Sequence, residues 1–258
     1  MKVAASTLAY LNHPLTLALK RICGFGFEGV EIYFEGMHSL PGKELLDNLS
    51  IYDFELFLHA PFSDLNLASF NQTVLDESKK QVKRSLEIGA EIEATLATVH
   101  FGRYSPLGLS YPEAAVERNL KSVREIASFS ESLGIKVAFE NAPEGFGAML
   151  GPLDLIEKLT TQEDIKITLD VGHANTWGIS VEDFISRLNS SIAHAHLHDN
   201  TGDSDLHMAL GEGGIDYKKV LKAFRKIKYK NALCLEMLCE EDLKRSRNMI
   251  RTLLSEGT

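Results

Sequence analysis

The sequence predicts an α/β protein that folds as one (β/α)8 barrel, a TIM barrel. Eight short β-like runs, each followed by a stretch with helical spacing, recur at roughly thirty-residue intervals. The 258 residues, 44% of them hydrophobic, suit one large core and are few for two typical domains. The main alternative, a doubly wound sheet, usually carries a glycine-rich phosphate loop after its first strand, and residues 6–10 supply none. We therefore expect a single domain over residues 1–258.

The strands are predicted where side-chain character alternates from one residue to the next. In the seventh strand, Ile192, His194, His196 and His198 alternate with small apolar residues, so the imidazoles share one face. Such a face is costly to bury without partners, and a divalent metal is a common partner. The eight predicted strands are residues 3–6, 29–33, 54–59, 96–100, 135–140, 165–170, 192–198 and 232–237.

Capping residues set the limits of several predicted helices. The helix at 73–88 is expected to close at Gly89. The longest helix, 112–133, is expected to begin with a capping box of Ser110 and Glu113 and to end at Gly134. The chain is expected to end in an amphipathic segment that runs from acidic to basic residues.

Composition narrows the cellular setting and the partners. The three cysteines, Cys23, Cys234 and Cys239, form no disulfide framework, which favours a reducing cytoplasm. The N-terminus has no signal-peptide core and no run reaches membrane-spanning length, so we expect a soluble protein with no membrane partner. The net charge of −9 argues weakly against nucleic acid as a partner and does not exclude it.

Imidazoles and carboxylates follow the predicted strands at their carboxyl ends, where barrel active sites lie. The residues at these ends are His59, His100, Glu140, Asp170, His196 and Glu236. His173, Asp205 and His207 lie just beyond, in the following loops. A single inward histidine at a strand end is more often a hydrogen-bonded core or rim residue than a metal ligand. Six successive strand ends that all carry His, Glu or Asp are not explained by independent chance. Oxygen and nitrogen donors without thiolate predict a divalent metal: Zn, Mn, Co or Mg.

Three further residues are candidate substrate contacts, each with an alternative. His198 shares the face of His196, and the alternative is a rim histidine bonded to Asp199 or water. Trp177 lies in a glycine-bounded loop, where it could stack on a sugar or pack under a lid. Glu31 faces inward by parity and is expected to line the pocket. His194 is expected to be a satisfied residue of the barrel core.

Several of these runs resemble the xylose isomerase-like barrel superfamily, and the resemblance covers essentially the whole chain. The runs are His59-Ala-Pro-Phe-Ser-Asp-Leu-Asn-Leu67, Val99-His100, Phe139-Glu140-Asn141, Leu169-Asp-Val-Gly-His173, His196-Leu-His-Asp-Asn200 and Gly211-Glu-Gly213. The superfamily includes sugar and sugar-phosphate isomerases and epimerases, inosose-pathway enzymes and endonuclease IV. Its motifs specify the superfamily well and the reaction poorly.

Two branches of the superfamily imply different metal centres. The epimerase branch implies one Mn, Co or Zn ion at Glu140, Asp170, His196 and Glu236, with Glu140 and Glu236 as the catalytic groups that shuttle a proton. Endonuclease IV implies three zinc ions. They would be held by His59, His100 and Glu140, then by Glu140, Asp170, His196 and Glu236, then by His173, Asp205 and His207.

The chain departs from both branches. The loops at 34–41 and 60–64 contain none of the basic residues with which endonuclease IV grips DNA, and Arg103 is the only arginine near the predicted mouth. The arginine that ketose epimerases carry beyond their strand-seven histidine falls here on Gly202. These departures leave the known substrate contacts of both branches without a counterpart.

Three hypotheses remain open. The first is a metal-dependent isomerase or epimerase that moves a proton next to a carbonyl in a small sugar, sugar phosphate or polyol. The second is a zinc phosphodiesterase that acts at abasic sites in DNA. The third is a binding protein without catalysis on the same scaffold. For either enzyme we expect one to three divalent metal ions per chain, and a homodimer is compatible with both.

Overall fold

The eight strands close into one parallel barrel in chain order. The computed structural model describes residues 1–145 and 147–256. The strands are β1 (Val3–Ser6), β2 (Gly29–Tyr33), β3 (Glu55–His59), β4 (Leu96–His100), β5 (Val137–Glu140), β6 (Ile167–Asp170), β7 (Ile192–Leu197) and β8 (Leu233–Leu235). Each strand pairs with its neighbour, and β8 pairs with β1 to close the ring. The predicted (β/α)8 TIM barrel is confirmed.

Ten α-helices among the described residues surround the barrel or connect its strands. They are α1 (Leu15–Gly24), α2 (Gly42–Leu49), α3 (Gln72–Glu91), α4 (Pro106–Ser110), α5 (Pro112–Leu133), α6 (Leu153–Glu163), α7 (Val171–Thr176), α8 (Val181–Leu188), α9 (Tyr217–Lys226) and α10 (Glu240–Ser255). Within this part of the chain, no helix combines the length and the apolar character needed to cross a bilayer.

The barrel and its helices enclose two apolar layers. The larger layer lies between strands and helices, where alternate strand residues such as Val30, Ile32 and Leu58 are fully buried. A smaller cluster inside the barrel includes Ala4, Phe57, Leu96, Ala138 and Cys234. These side chains fill the interior toward the amino ends of the strands. Polar side chains occupy the interior toward the carboxyl ends, and the candidate site therefore lies there.

Two predicted helix limits are wrong for identifiable reasons. Helix α3 continues through Gly89 to Glu91, because this glycine serves packing and not capping. A Cβ at Gly89 would lie 2.7 Å from Ile135 Cδ1. The capping box before α5 is also absent, since Tyr111 precedes that helix and makes no side-chain cap. Ser110 instead ends the short helix α4. Gly134 does end α5, with the left-handed φ of 73° that glycine adopts easily.

The short helix α7 follows β6 directly and was not predicted. Its start is fixed by Asp170, whose carboxylate accepts a 2.6 Å hydrogen bond from the backbone N–H of His173. The same residue therefore ends a strand, begins a helix and faces the barrel axis. As a result, His173 is carried on a rigid turn.

Candidate metal centre

The structure brings the nine residues predicted as metal ligands together at the carboxyl end of the barrel. Strand register aligns them, because His100 pairs with Glu140 and Asp170 pairs with His196. The donor atoms form three groups, and within each group they lie within 4.8 Å of one another. The groups are His59, His100 and Glu140; Glu140, Asp170, His196 and Glu236; and His173, His198, Asp205 and His207. We call them the entrance group, the central group and the loop group.

The central group gathers three carboxylates around one imidazole nitrogen. His196 Nδ1 lies 2.9 Å from Glu140 Oε1, 3.6 Å from Glu236 Oε1 and 4.0 Å from Asp170 Oδ2. All four side chains are at most 4% exposed. Asp170 Oδ2 and Glu236 Oε1 are buried and have no hydrogen-bond partner among the described residues. Unpartnered buried carboxylate oxygens are expensive, so this arrangement calls for a cation.

The charge balance of the central group fits a divalent metal. Among the described residues, no Lys or Arg forms an ion pair with Glu140, Asp170 or Glu236, and histidines are their only charged partners. Burial alone would raise the pKa of Glu140, but His100 and His196 hold it well below its usual value. The group therefore offers oxygen atoms from three carboxyl groups and one imidazole nitrogen, a donor set that suits a hard or borderline cation.

The entrance group shares Glu140 with the central group. His100 Nε2 lies 2.7 Å and His59 Nε2 3.3 Å from Glu140 Oε2. His59 Nδ1 lies 2.9 Å from Ala60 O and donates there, so Nε2 is the nitrogen that could bind a metal once it has no proton. Phe62 stacks on His100 with ring centroids 3.8 Å apart and planes 4° apart. This ring support was missed from sequence, although Phe62 lies within the motif that begins at His59.

The loop group links α7 to the segment after β7. His173 Nε2 and His207 Nε2 lie 3.2 Å and 3.4 Å from Asp205 Oδ2. Each ring donates through Nδ1 to a backbone carbonyl, His173 to Asn141 O at 2.7 Å and His207 to Glu236 O at 2.9 Å. Both Nε2 atoms face Asp205 and can act as ligands once they lose their protons.

Buried carboxylates shift the protonation of the loop group. Burial would lower the pKa of His173, but Asp170 and Asp205 together raise it to about 10. Burial has the same effect on His207, and Asp205 and Glu236 raise its pKa to about 9. Without a metal the two rings are thus cationic near neutral pH, and metal binding would displace their protons.

The three candidate substrate contacts all pack against other parts of the protein. His198 is fully buried in the loop group, with Nε2 3.1 Å from Asp170 Oδ1 and its ring stacked 3.9 Å from that of His207. Trp177 donates from Nε1 to Ala142 O at 2.8 Å and lies against Gly151, which agrees with the packing alternative. Glu31 is fully buried below His196 and does not reach the mouth. The structure thus corrects the pocket-lining prediction for Glu31.

Two polar residues that hold the site received no role from sequence reasoning. Asn141 clamps the backbone of Asp170: its Oδ1 accepts from Asp170 N at 2.8 Å, and its Nδ2 donates to Asp170 O at 3.0 Å. Asp199 accepts from the N–H groups of Gly211 and Ile215 at 2.8 and 3.2 Å and so shapes the loop after β7. Each follows a predicted ligand motif directly, and that adjacency was the available signal.

A cavity of about 400 Å³ is lined by residues from all three groups: His59, His100, Glu140, Glu236, His173, Asp205 and His207. Glu140 and Glu236 both reach it, from different sides of the barrel. Much of the wall is apolar, formed by residues that include Leu8, Phe62, Leu65, Met149 and Leu238. Arg103 is the only Lys or Arg among the described residues that line it. The cavity can hold a small molecule whose reacting end faces the carboxylates.

Comparison with known proteins points to one family and two kinds of enzyme. Residues 19–253 match the model of the xylose isomerase-like TIM barrel family. An uncharacterized protein of Methanocaldococcus jannaschii is 33% identical, over 98% of this chain and 89% of its own length. The crystal structure of a D-tagatose 3-epimerase-like protein matches with a TM-score of 0.91 and 31% identity, covering 99% of this chain and 97% of that one. A probable endonuclease 4 of Mycobacterium leprae is 27% identical over 78% of this chain and 81% of its own.

Proposed function

The chain belongs to the xylose isomerase-like TIM barrel family, and on that basis we propose that it is a metal-dependent sugar or sugar-phosphate isomerase or epimerase. The proposed reaction moves a proton on the carbon next to a carbonyl. The resemblance in structure to a D-tagatose 3-epimerase-like protein supports the substrate class. A Zn, Mn or Co ion at Glu140, Asp170, His196 and Glu236 would polarise the carbonyl and stabilise negative charge that develops on oxygen.

One observation carries the proposal: two buried carboxylates from distant strands reach the same small cavity. Glu140 ends β5, and Glu236 follows β8 on another side of the barrel. A carbon held between them would present one face to each carboxylate. The ionised group can then remove the proton, and the other group, if protonated, can deliver its own proton to the opposite face, which inverts the carbon. A single carboxylate acting on neighbouring carbons would give isomerisation instead.

The neighbours of each glutamate support these roles. Glu140 Oε2 contacts His100 and His59, and its Oε1 contacts His196, so the carboxylate has a fixed orientation. Within the described part of the chain Glu236 Oε1 accepts no hydrogen bond, and the Glu236 side chain lines the cavity. The apolar wall around them limits the access of water, which strengthens interactions between charges and protects a reactive intermediate.

Solvent deuterium exchange tests this proposal. Wild-type protein loaded with Mn²⁺ or Co²⁺ is incubated with a panel of ketoses, ketose phosphates and polyols in deuterated buffer, and incorporation is followed by NMR. We expect incorporation next to the carbonyl of at least one substrate, and its loss in Glu140→Gln and in Glu236→Gln. Incorporation that persists in both variants would remove these two residues from the proton transfer.

A second candidate function is phosphodiester hydrolysis at abasic sites in DNA. The specific observation in its favour is that the entrance, central and loop groups together supply donors for three ions, and the similarity to a probable endonuclease 4 agrees with it. The wall has a single Arg and no Lys among its described residues and includes Glu140, Glu144, Asp205 and Glu236, which argues against a DNA-binding surface. About three zinc ions per chain together with cleavage of an abasic-site duplex would support this candidate.

A further inference from the structure

A buried carboxylate lies below the central group, inside the barrel. Glu31 on β2 is fully buried, as are the two imidazoles that contact it. Its Oε1 lies 3.0 Å from His196 Nε2, and its Oε2 lies 2.9 Å from His194 Nε2. Among the described residues no Lys or Arg pairs with Glu31. A buried carboxylate charge is unfavourable unless its neighbours compensate for it, so the position of Glu31 calls for an explanation.

The two nitrogens of His196 face different carboxylates. Nδ1 points to the central group, where Glu140 Oε1 is 2.9 Å away, and Nε2 points down to Glu31. A neutral imidazole has one N–H donor and one lone pair, so a proton on Nε2 leaves the lone pair on Nδ1. A carboxylate that accepts from the nitrogen opposite the metal fixes the tautomer and ring orientation of a ligand histidine.

We propose that Glu31 is a positioning residue for the metal: it holds His196 with Nδ1 directed at Glu140, Asp170 and Glu236. The inference rests on the proposed function only in requiring an ion at the central group. It assigns Glu31 no contact with substrate. The carboxylate acts through His196 alone.

His194 completes this support from the other side. Its ring stacks on Phe57, with centroids 4.6 Å apart, and meets the His196 ring edge to face at 5.2 Å. Its Nε2 lies 2.9 Å from Glu31 Oε2, the oxygen that is also 3.2 Å from His196 Nε2, although neither ring nitrogen of His194 has a hydrogen-bond partner among the described residues. This arrangement explains why a second imidazole lies in the barrel core, where an apolar residue would otherwise pack.

The same cluster has an alternative use as a metal site of its own. Glu31, His194, His196 and Cys234 have donor atoms within 4.8 Å of one another. His196 Nε2 donates to Glu31 Oε2 at 3.2 Å, and a nitrogen that carries this proton has no lone pair for a metal. This hydrogen bond favours support over coordination.

Metal titration of the full chain tests the inference. Metal-free protein is titrated with Co²⁺, and the binding steps are resolved by calorimetry and by the visible absorption of bound cobalt. His196→Ala identifies the step that depends on the central group. In Glu31→Gln we expect that step to weaken about 10- to 100-fold, with a changed cobalt spectrum, while other steps keep their constants. Glu31→Asp, which keeps the charge but shortens the side chain, should give a smaller loss.

Thr98→Val is the matched control. Thr98 Oγ1 contacts Thr168 Oγ1 at 2.9 Å inside the same barrel, and among the described residues neither hydroxyl makes a hydrogen bond to the central group. This variant loses an interior hydrogen bond, so its melting temperature should fall while every cobalt constant stays at the wild-type value. Equal cobalt-binding constants in Glu31→Gln and wild type would overturn this inference but not the proposed function. Loss of one bound ion in Cys234→Ser would also overturn it, by showing that the cluster coordinates metal. A wild-type protein that binds no Co²⁺ would overturn the proposed function as well.

Discussion

The central group and the loop group use the same kinds of side chain but are built differently. Central-group residues come from strand ends, and each is at most 4% exposed. The loop group depends on the short helix α7 and on the segment after β7, where the side chains of Asp205 and His207 are 28% and 15% exposed. His207 also has a left-handed φ of 47°, which is strained for a residue with a side chain. Strand register therefore positions the central group, whereas contacts among its own side chains position the loop group.

The largest expected effect comes from removing the residue shared by two groups. Glu140→Ala takes an oxygen donor from both the central and the entrance group and also removes a proposed proton-transfer group. We expect proton-transfer activity to fall about 10²- to 10⁴-fold or more and bound metal to fall to the content of the loop group. Elemental analysis and the deuterium assay measure the two effects. Retention of the wild-type metal content would show that Glu140 is not a shared ligand.

Asp205→Ala is the counterpart in the loop group. Asp205 contacts His173, His198 and His207. Its replacement should therefore take one oxygen donor from the loop group and none from the central group. We expect the cobalt step that depends on His196 to remain unchanged and any loop-group step to disappear. Equal loss from both groups would mean that they form one cooperative site and that the distinction between them fails.

The sequence predicted the central group well and the loop group less well. Parity along a strand and the barrel rule about strand ends are enough to place Glu140, Asp170 and His196 on one ring of inward-facing positions. No comparable rule says how a loop folds back. The role of His198 depends on Gly172, where a Cβ would lie 2.0 Å from the His198 ring, and that close approach is a tertiary fact.

Parity was also insufficient for Glu31. It gave the inward direction correctly, but it could not say how far along the barrel axis the carboxylate lies relative to His196. Depth depends on the stagger of β2 against β7 across the barrel, which no local pattern encodes. The helix limits at Gly89 and Ser110 failed for a related reason, since packing against β3 and an additional short helix overrode local capping signals.

The thermal stability of metal-free protein should depend on pH through the loop group. The pKa of His173 is raised to about 10, compared with about 6.5 in an unfolded chain. The stabilising contribution of protonated His173 is therefore complete below pH 6.5 and is lost as the pH rises toward 10. We expect the melting temperature of metal-free protein to fall over this window. Asp205→Asn, which weakens the pairing, should flatten the decline, and identical slopes in the two proteins would contradict the assignment.

A smaller effect is expected from crowding the loop group at its base. In Gly172→Ala the new methyl would meet the His198 ring at 2.0 to 2.4 Å. Overpacking of this kind typically costs about 1–3 kcal/mol, measurable by denaturant unfolding. Gly214→Ala is the control, because its Cβ would meet only Asn200 O at 3.7 Å. Equal stability of the two variants would show that the His198 ring can move aside.

The most direct test of the account is the position of a bound ion. Crystals of the native protein, with metal content known from elemental analysis, would be measured on both sides of the absorption edge of that metal. The account predicts an anomalous peak within coordination distance of Glu140, Asp170, His196 and Glu236 together, with His196 bound through Nδ1. A fully loaded protein with no peak among these four residues would contradict it.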